Sequence, residues 1–292
     1  MDDFQIVGPR PVRAAEAKKT PWLRGKPVLA GIVLAVILLG CLGCGLFLRR
    51  DPTYMDLANC NRAPCREFWF GTDAMGRDLF AMIWYGGRAS LVIGALATAI
   101  STGIAMVLGS LSGCAGRRLD ALLMRATEIL LSVPNLLLIV LLQAILGAAS
   151  VWSLSLVIGL TSWTGIAKVV RTEVRRLRSS EFVLAARCMG GGFFHLLREH
   201  LAPNFLPAIL FMVVMNVRGA ILAESTLSFL GLGLPLEIVS WGNMLSLAQQ
   251  ALLTDSWWVV VIPGVFLIAT LLSVTAIGNT LQRSGAQEGG NL

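Results

Sequence analysis

The 292 residues are 55% hydrophobic and 14% charged, against roughly 25% charge in a soluble domain, and their mean hydropathy is +0.73. Such a composition excludes a soluble globular enzyme and places the chain in a bilayer. The net charge of +7 sits in clusters beside apolar runs, the pattern that orients membrane helices rather than one that marks a nucleic-acid surface.

In chain order, residues 1–26 carry Pro9, Pro11, Pro21, several Lys and Arg and few large apolar side chains, and read as a cytoplasmic N-terminal tail. Apolar stretches of about 20 residues cross about 30 Å of hydrocarbon as helices, whose backbone polar groups satisfy one another. Six such stretches follow: Pro27 to Leu48, about Ser90 to Ser112, about Leu119 to Leu146 across Pro134, Val151 to Val170, Pro203 to about Ala223, and Trp257 to about Leu281. The first reads as a span rather than a cleaved signal peptide. It is longer than a signal core, and Leu46, Phe47, Leu48, Arg49, Arg50 lack a small-residue cleavage pattern. The expected fold class is therefore all-α integral membrane. Its expected units are 27–87, holding the first transmembrane helix and an external loop with an interfacial helix, then a five-helix core at 88–283 and a cytoplasmic C-terminal tail at 284–292.

With the N-terminus inside, Arg10, Arg13, Lys18, Lys19, Arg24, Lys26, Arg117, Arg118, Arg125, the run from Lys168 to Arg198, and Arg283 all fall on the inner side, while the 226–256 loop has no Lys or Arg. Both termini are expected in the cytoplasm. Among the six cysteines, Cys41, Cys44, Cys114 and Cys188 sit in or beside apolar helices as packing residues. Cys60 and Cys65 fall in the loop expected outside, where a disulfide and two free thiols both stay open. No metal site is expected, since His195 and His200 read as loop-structure residues.

Between the fourth and fifth spans, Lys168, Arg171, Arg175, Arg176, Arg178, Arg187 and Arg198 are interleaved with apolar residues over about thirty positions, longer than a connector needs. Glu181 to Gly190 reads as a short helix stopped by Gly190, Gly191 and Gly192. A second short helix is expected from Phe193 to His200, before Pro203 opens the fifth span. Small Ala185 and Ala186 allow close approach, Phe193, Phe194, Leu196 and Leu197 offer apolar anchors, and Arg187 and Arg198 offer charge. A docking knob fits these residues, and so does an amphipathic helix in the lipid interface.

Ala185, Ala186 and Gly190, followed after nine residues by His200, Leu201, Ala202 and Pro203, resemble the EAA loop of binding-protein-dependent ABC permeases. Leu184 replaces that motif's Glu, and Ala202 replaces its Leu. With Glu181, Phe182, Val183 and Asn204 included, the segment is more specifically similar to the dipeptide, oligopeptide and nickel permease family. Phe70, Gly71, Thr72, Asp73, Ala74, Met75, Gly76, Arg77, Asp78 resemble that family's GTDxxGRD stretch. There Thr72 or Asp73 is expected to cap the following helix, and Asp73 to pair with Arg77 four residues on. Glu224 to Gly233, continuing to Ser240, Trp241, Gly242, Asn243, Met244 and Leu245, resembles its re-entrant outer segment. Trp258, Pro263, Gly264, Gly278 and Asn279 complete the similarity, although relatives usually have Asp in place of Asn279. The resemblance covers about residues 30 to 283, and the short outer loop fits the C-type subunit.

This resemblance implies a type I ABC importer permease fold with cytoplasmic coupling helices, in the bacterial plasma (inner) membrane. The implied cargo is di- or oligopeptide, with nickel or a metal chelate as the alternative and an ion-coupled secondary transporter as the alternative of a different class. The chain carries no G-x-x-x-x-G-K-[ST] loop and no catalytic constellation, so it is expected to be non-catalytic and to bind no cofactor. ATP and Mg are used by partner ATPase subunits. The implied partners are a second, B-type permease subunit, two cytoplasmic ATPase subunits, an extracytoplasmic substrate-binding protein and the lipid bilayer, with no nucleic acid. Glu181, Ala185, Ala186, Arg187, Gly190, Arg198, His200 and Pro203 are the expected ATPase-coupling residues. Asn216, Arg218 and Glu224, costly in lipid, are expected on the translocation pathway, with a contact to the partner subunit as the alternative. Gln143 carries the same ambiguity.

Overall fold

The computed structural model describes residues 28–47, 51–248, 251 and 254–288. The expected tail at 1–26, with its basic residues, lies outside the described residues, as do Arg49, Arg50 and the side chains of Arg187 and Arg283. Among the described residues the secondary structure is helical, with one isolated antiparallel bridge between Thr72 and Asp78. The helices are α1 (Val28–Phe47), α2 (Leu79–Cys114), α3 (Arg117–Ser132), α4 (Asn135–Leu146), α5 (Val151–Thr161), α6 (Thr164–Leu177), α7 (Glu181–Cys188), α8 (Phe193–His195), α9 (Ala202–Phe229), α10 (Trp241–Ser246) and α11 (Trp258–Glu288). A π-helical turn, Leu196–Leu201, joins α8 to α9.

Four helical stretches are each long and apolar enough to cross a membrane unbroken: Val28–Leu46, Leu79–Cys114, Phe193–Phe229 and Trp258–Gln282. The third and fourth expected spans are bent pairs instead, α3 with α4 at 93° and α5 with α6 at 48°. The first bend follows from Pro134, which lacks an N–H and pushes Val133 into extended backbone (φ −93, ψ 131). At the second, Ser162 closes α5 by donating its N–H to Ile158, and Trp163 turns its ring into the apolar core that α6 shares.

Two elements are longer than the apolar pattern predicts. α2 begins at Leu79, capped by the Asp78 carboxylate accepting from the Phe80 N–H at 2.9 Å. The cap is thus neither Thr72 nor Asp73, and the helix runs unbroken through residues 87 and 88. Pro203 likewise does not separate two helices. The π turn before it shifts the bonding, so that the Ala202 N–H reaches Leu197 O, and the Asn204 side chain donates to His200 O at 2.6 Å. A missing proline donor is thereby absorbed without a break.

α2 is the central helix, packed along α5, α6 and α9, while α9 also packs along α11. Its glycines set the spacing. A Cβ at Gly109 would lie 2.6 Å from Ala167 O, and one at Gly113 would lie 2.7 Å from a Val174 methyl, so α6 touches α2 nearly backbone to backbone. At one end of the bundle residues 51–78 form a cap over the start of α11, where the Trp258 Nε1–H donates to Thr72 O at 3.0 Å. Inside the cap, buried Asp73 accepts from the Arg77 guanidinium at 2.7 Å and from the backbone N–H groups of Met75 and Arg77, both at 2.9 Å. The expected four-residue pair is therefore a buried one that also closes the turn. Cys60 and Cys65 in the cap carry free thiols. The opposite end holds Arg117, Arg118, α6, α7 and α8, and is termed the basic end below.

Candidate functional site

At the basic end, α7 is amphipathic on a short scale. Val183 and Ala186, three apart, are 1% and 3% exposed and join the core formed by α6, the π turn and Phe205. On the outward side Phe182, Leu184, Met189 and Phe194 are exposed, Met189 at 82% and Phe194 at 72%. The corner between α7 and α8 is made by glycine. Gly190 adopts φ +85 in open space, and the Gly191 N–H reaches back to Ala186 O at 3.0 Å, closing the helix C-terminus.

The expected coupling residues divide across this knob. Glu181, Ala185, Arg198 and Pro203 are exposed, Gly190 forms the corner, and half-buried His200 has its ring centroid 5.8 Å from that of His195 and 6.4 Å from that of Phe182. Ala186 faces the core, because it shares α7's inward face with Val183, so it does not offer the close approach read from its size. Leu196 and Leu197 are buried in the same core, Phe193 is half-buried against it, and Phe194 is the exposed anchor of that set.

A clasp that sequence reasoning missed fixes this end. Asp120, near the start of α3, receives the Arg171 guanidinium through two bonds, Nε to Oδ1 and Nη2 to Oδ2, the latter at 2.8 Å. Arg175 donates to Oδ2 at 2.6 Å and the Ser112 hydroxyl donates to Oδ1 at 2.6 Å. One carboxylate therefore joins α2, α3 and α6, and α6 runs directly into the knob. The sequence holds a faint signal of it: Asp120 is a lone acid in a basic stretch, and Arg171 and Arg175 are spaced to share one helix face.

The polar residues of α9 are not brought together. Asn216 donates to the Ser101 hydroxyl of α2 at 2.6 Å, and exposed Arg218 donates to the Thr275 hydroxyl of α11 at 3.3 Å. Glu224 departs from expectation, being 0% exposed and enclosed by the subunit's own hydroxyls. Ser90 donates to it at 2.9 Å, Ser228 at 3.0 Å and Ser225 at 3.3 Å. Two of these serines act as relays, since Ser90 also accepts the Trp241 N–H and Ser228 accepts the Leu234 N–H, each at 3.3 Å. Glu224 thereby pins both ends of the 234–241 segment instead of facing open space. Trp241, fully buried, adds an Nε1–H bond to Ile83 O at 3.0 Å. Gln143 is also buried, with its Nε2 donating to Gly147 O at 3.1 Å.

Among the described residues no group of three or more His, Cys, Asp or Glu is arranged to hold a metal. The arrangement presents exposed apolar side chains around a glycine corner at one end and a held segment at the other.

Comparison with known proteins bears on the same segments. The family model described as "Binding-protein-dependent transport system inner membrane component" matches residues 105–284, from the middle of α2 to the end of the last span. A "Putative peptide permease protein" of Brucella suis is 36% identical, over 89% of this chain and 87% of its own length. The "Dipeptide transport system permease protein DppC" of Bacillus subtilis is 33% identical, over 96% and 91%. The "Oligopeptide transport system permease protein OppC" of the same organism is 35% identical, over 86% and 82%. With a family match over more than half of its residues and relatives aligned along most of its length, this chain belongs to the inner-membrane components of binding-protein-dependent transport systems.

Proposed function

We propose that this chain is one of two permease subunits of an ATP-driven importer of di- or oligopeptides, and that a separate ATPase drives it through the 181–203 segment. The observation that carries the coupling role is the knob: exposed Phe182, Leu184, Met189 and Phe194 surround a glycine corner whose inner side is welded to the core. A movement imposed on such a surface passes into α6 and α9 rather than being lost in a loose loop. The cargo rests on the relatives, which are named for peptides, dipeptides and oligopeptides and favour those over nickel.

On this reading the basic end faces the cytoplasm, in line with Arg117, Arg118, Arg125 and the 168–198 run. The chain is non-catalytic, and ATP and Mg belong to two ATPase subunits. A second permease and an extracytoplasmic binding protein complete the complex in the plasma membrane. Arg218, exposed on a spanning helix, together with Asn216, belongs to the pathway or to the facing permease, since a lone charge in lipid is costly. Glu224 is assigned instead to holding the 234–241 segment.

Replacing Gly190 by Trp tests the coupling role. The φ of +85 strains any L side chain by roughly 1–2 kcal/mol. A Cβ at this corner would meet no atom within 4 Å, so the ring projects into the docking surface without disturbing the core. The expected result is normal insertion and assembly, with peptide uptake and substrate-stimulated ATP hydrolysis in reconstituted vesicles both reduced about tenfold or more, the scale of about 1.4 kcal/mol lost at the contact. Unaltered uptake and hydrolysis would sink the assignment.

A further inference from the structure

The 234–241 segment that Glu224 pins does more than close the bundle. Within it, residues 235–238 form a tight turn, with the Ile238 N–H donating to Pro235 O at 3.0 Å. The Asn243 side chain then clamps that turn from below, donating to Pro235 O at 3.0 Å and to Ile238 O at 2.9 Å. Exposed Glu237 stands on this fixed turn. Facing the same cleft, of about 460 Å³, is exposed Arg88 of α2, with Tyr85 and Val92 on its own helix and Ile238 and Val239 on the turn. The turn lies hard against α2, since a Cβ added at Gly86 would meet Val239 and Ser240 at 3.2 Å.

The cleft volume falls within the roughly 300–1,000 Å³ of small-ligand sites, and its walls combine apolar side chains with a few polar groups, as such sites do. Among the described residues neither Arg88 nor Glu237 makes a hydrogen bond or ion pair, and Arg88 sits ten residues into α2, at the cap-side edge of the apolar stretch that begins at about Ser90. Opposite charges lining one largely apolar cleft match a ligand that is itself a zwitterion with an apolar middle.

We propose that this cleft is a peptide-terminal subsite, in which the Arg88 guanidinium takes the free C-terminal carboxylate of a short peptide and the Glu237 carboxylate takes its N-terminal ammonium. Tyr85, Val92 and Val239 flank the residues between. The assignment rests on the peptide-import reading and gives it a place at the cap end of the bundle. Glu224 and Asn243 act there as positioning residues, holding the turn that presents Glu237.

The test uses the complete transporter in vesicles, with tri-alanine, tri-alanine amide and N-acetyl-tri-alanine, each supplied at saturation of the binding protein. Arg88→Gln should lower the uptake ratio of free acid to amide about tenfold, the scale of one charge-assisted hydrogen bond, and leave the amine preference intact. Glu237→Gln should do the reverse. As a second readout independent of the binding protein, with Arg88 and Glu237 both in place, excess tri-alanine should slow alkylation of Thr53→Cys, an exposed position lining the same cleft, by a soluble maleimide several-fold, followed at that residue by mass spectrometry. Unchanged ratios, or equal loss for all three peptides, together with no protection at residue 53, would overturn the subsite while leaving the peptide reading intact. A wild-type complex that hydrolyses ATP yet takes up none of the three peptides would overturn the peptide reading, and the subsite with it.

Discussion

Glu224 shows what a single residue does once its neighbours are known. A carboxylate in an apolar helix must find partners, and here it finds the side chains of Ser90 from α2 and of Ser225, Ser228 and Ser240. Glu224→Ala should strip those hydroxyls of their shared acceptor and free both relays, lowering stability by about 2–3 kcal/mol. Glu224→Gln, which keeps the shape and an acceptor oxygen, should cost less than half of that. Thermal unfolding of the purified protein in detergent reads the difference, and two variants as stable as wild type would remove Glu224 from its structural role. The sequence made this residue conspicuous without making it interpretable, since Ser90 lies 134 residues away. Arg77 was easier, because its partner Asp73 is four residues off and the spacing alone predicts the pair.

Elements were legible where the signal is local. Apolar length located the spanning stretches, and Gly190 to Gly192 marked the corner that the Gly190 φ and the Gly191 bond now explain. Pro134 and Pro203 received opposite fates from the same chemistry. The first breaks a helix by 93°, whereas the π turn ahead of the second lets the chain continue. What decides between them is packing, because Leu196, Leu197 and Leu201 around the π turn are buried, while Leu131 and Leu136 flanking Pro134 are exposed. The Asp120 clasp holds the bent α3 against α6. Asp120→Ala should leave Arg171 and Arg175 without their shared partner, and because both guanidiniums keep access to solvent the loss for α3 is about 1–2 kcal/mol. Faster hydrogen exchange across 117–132, with reduced coupling of ATP hydrolysis to uptake, is the expected result. Exchange indistinguishable from wild type would show that the clasp does not hold the helix.

For the whole molecule, the two ends carry different reporters. Cys65 is exposed in the cap, and Cys188, expected from the sequence to be a packing residue, is instead exposed at the end of α7, both as free thiols. With the basic end in the cytoplasm, a membrane-impermeant maleimide should label Cys65 in spheroplasts and Cys188 only in inverted vesicles, as read by mass spectrometry of each peptide. The opposite pattern would reverse the orientation. By itself the sequence determined that the chain is a helical membrane protein, roughly where its spans lie, and through Ala185, Ala186, Gly190 and Pro203 which family it resembles. These are properties of composition, periodicity and short spacing, all written along the chain within a few turns. Only the tertiary structure decided that Ala186 faces the core, that Glu224 binds the subunit's own serines, and that Arg88 and Glu237 share one cleft. Each depends on which distant helix lies alongside, and that is settled by how closely the glycines of α2 let α6, α9 and the 234–241 segment approach.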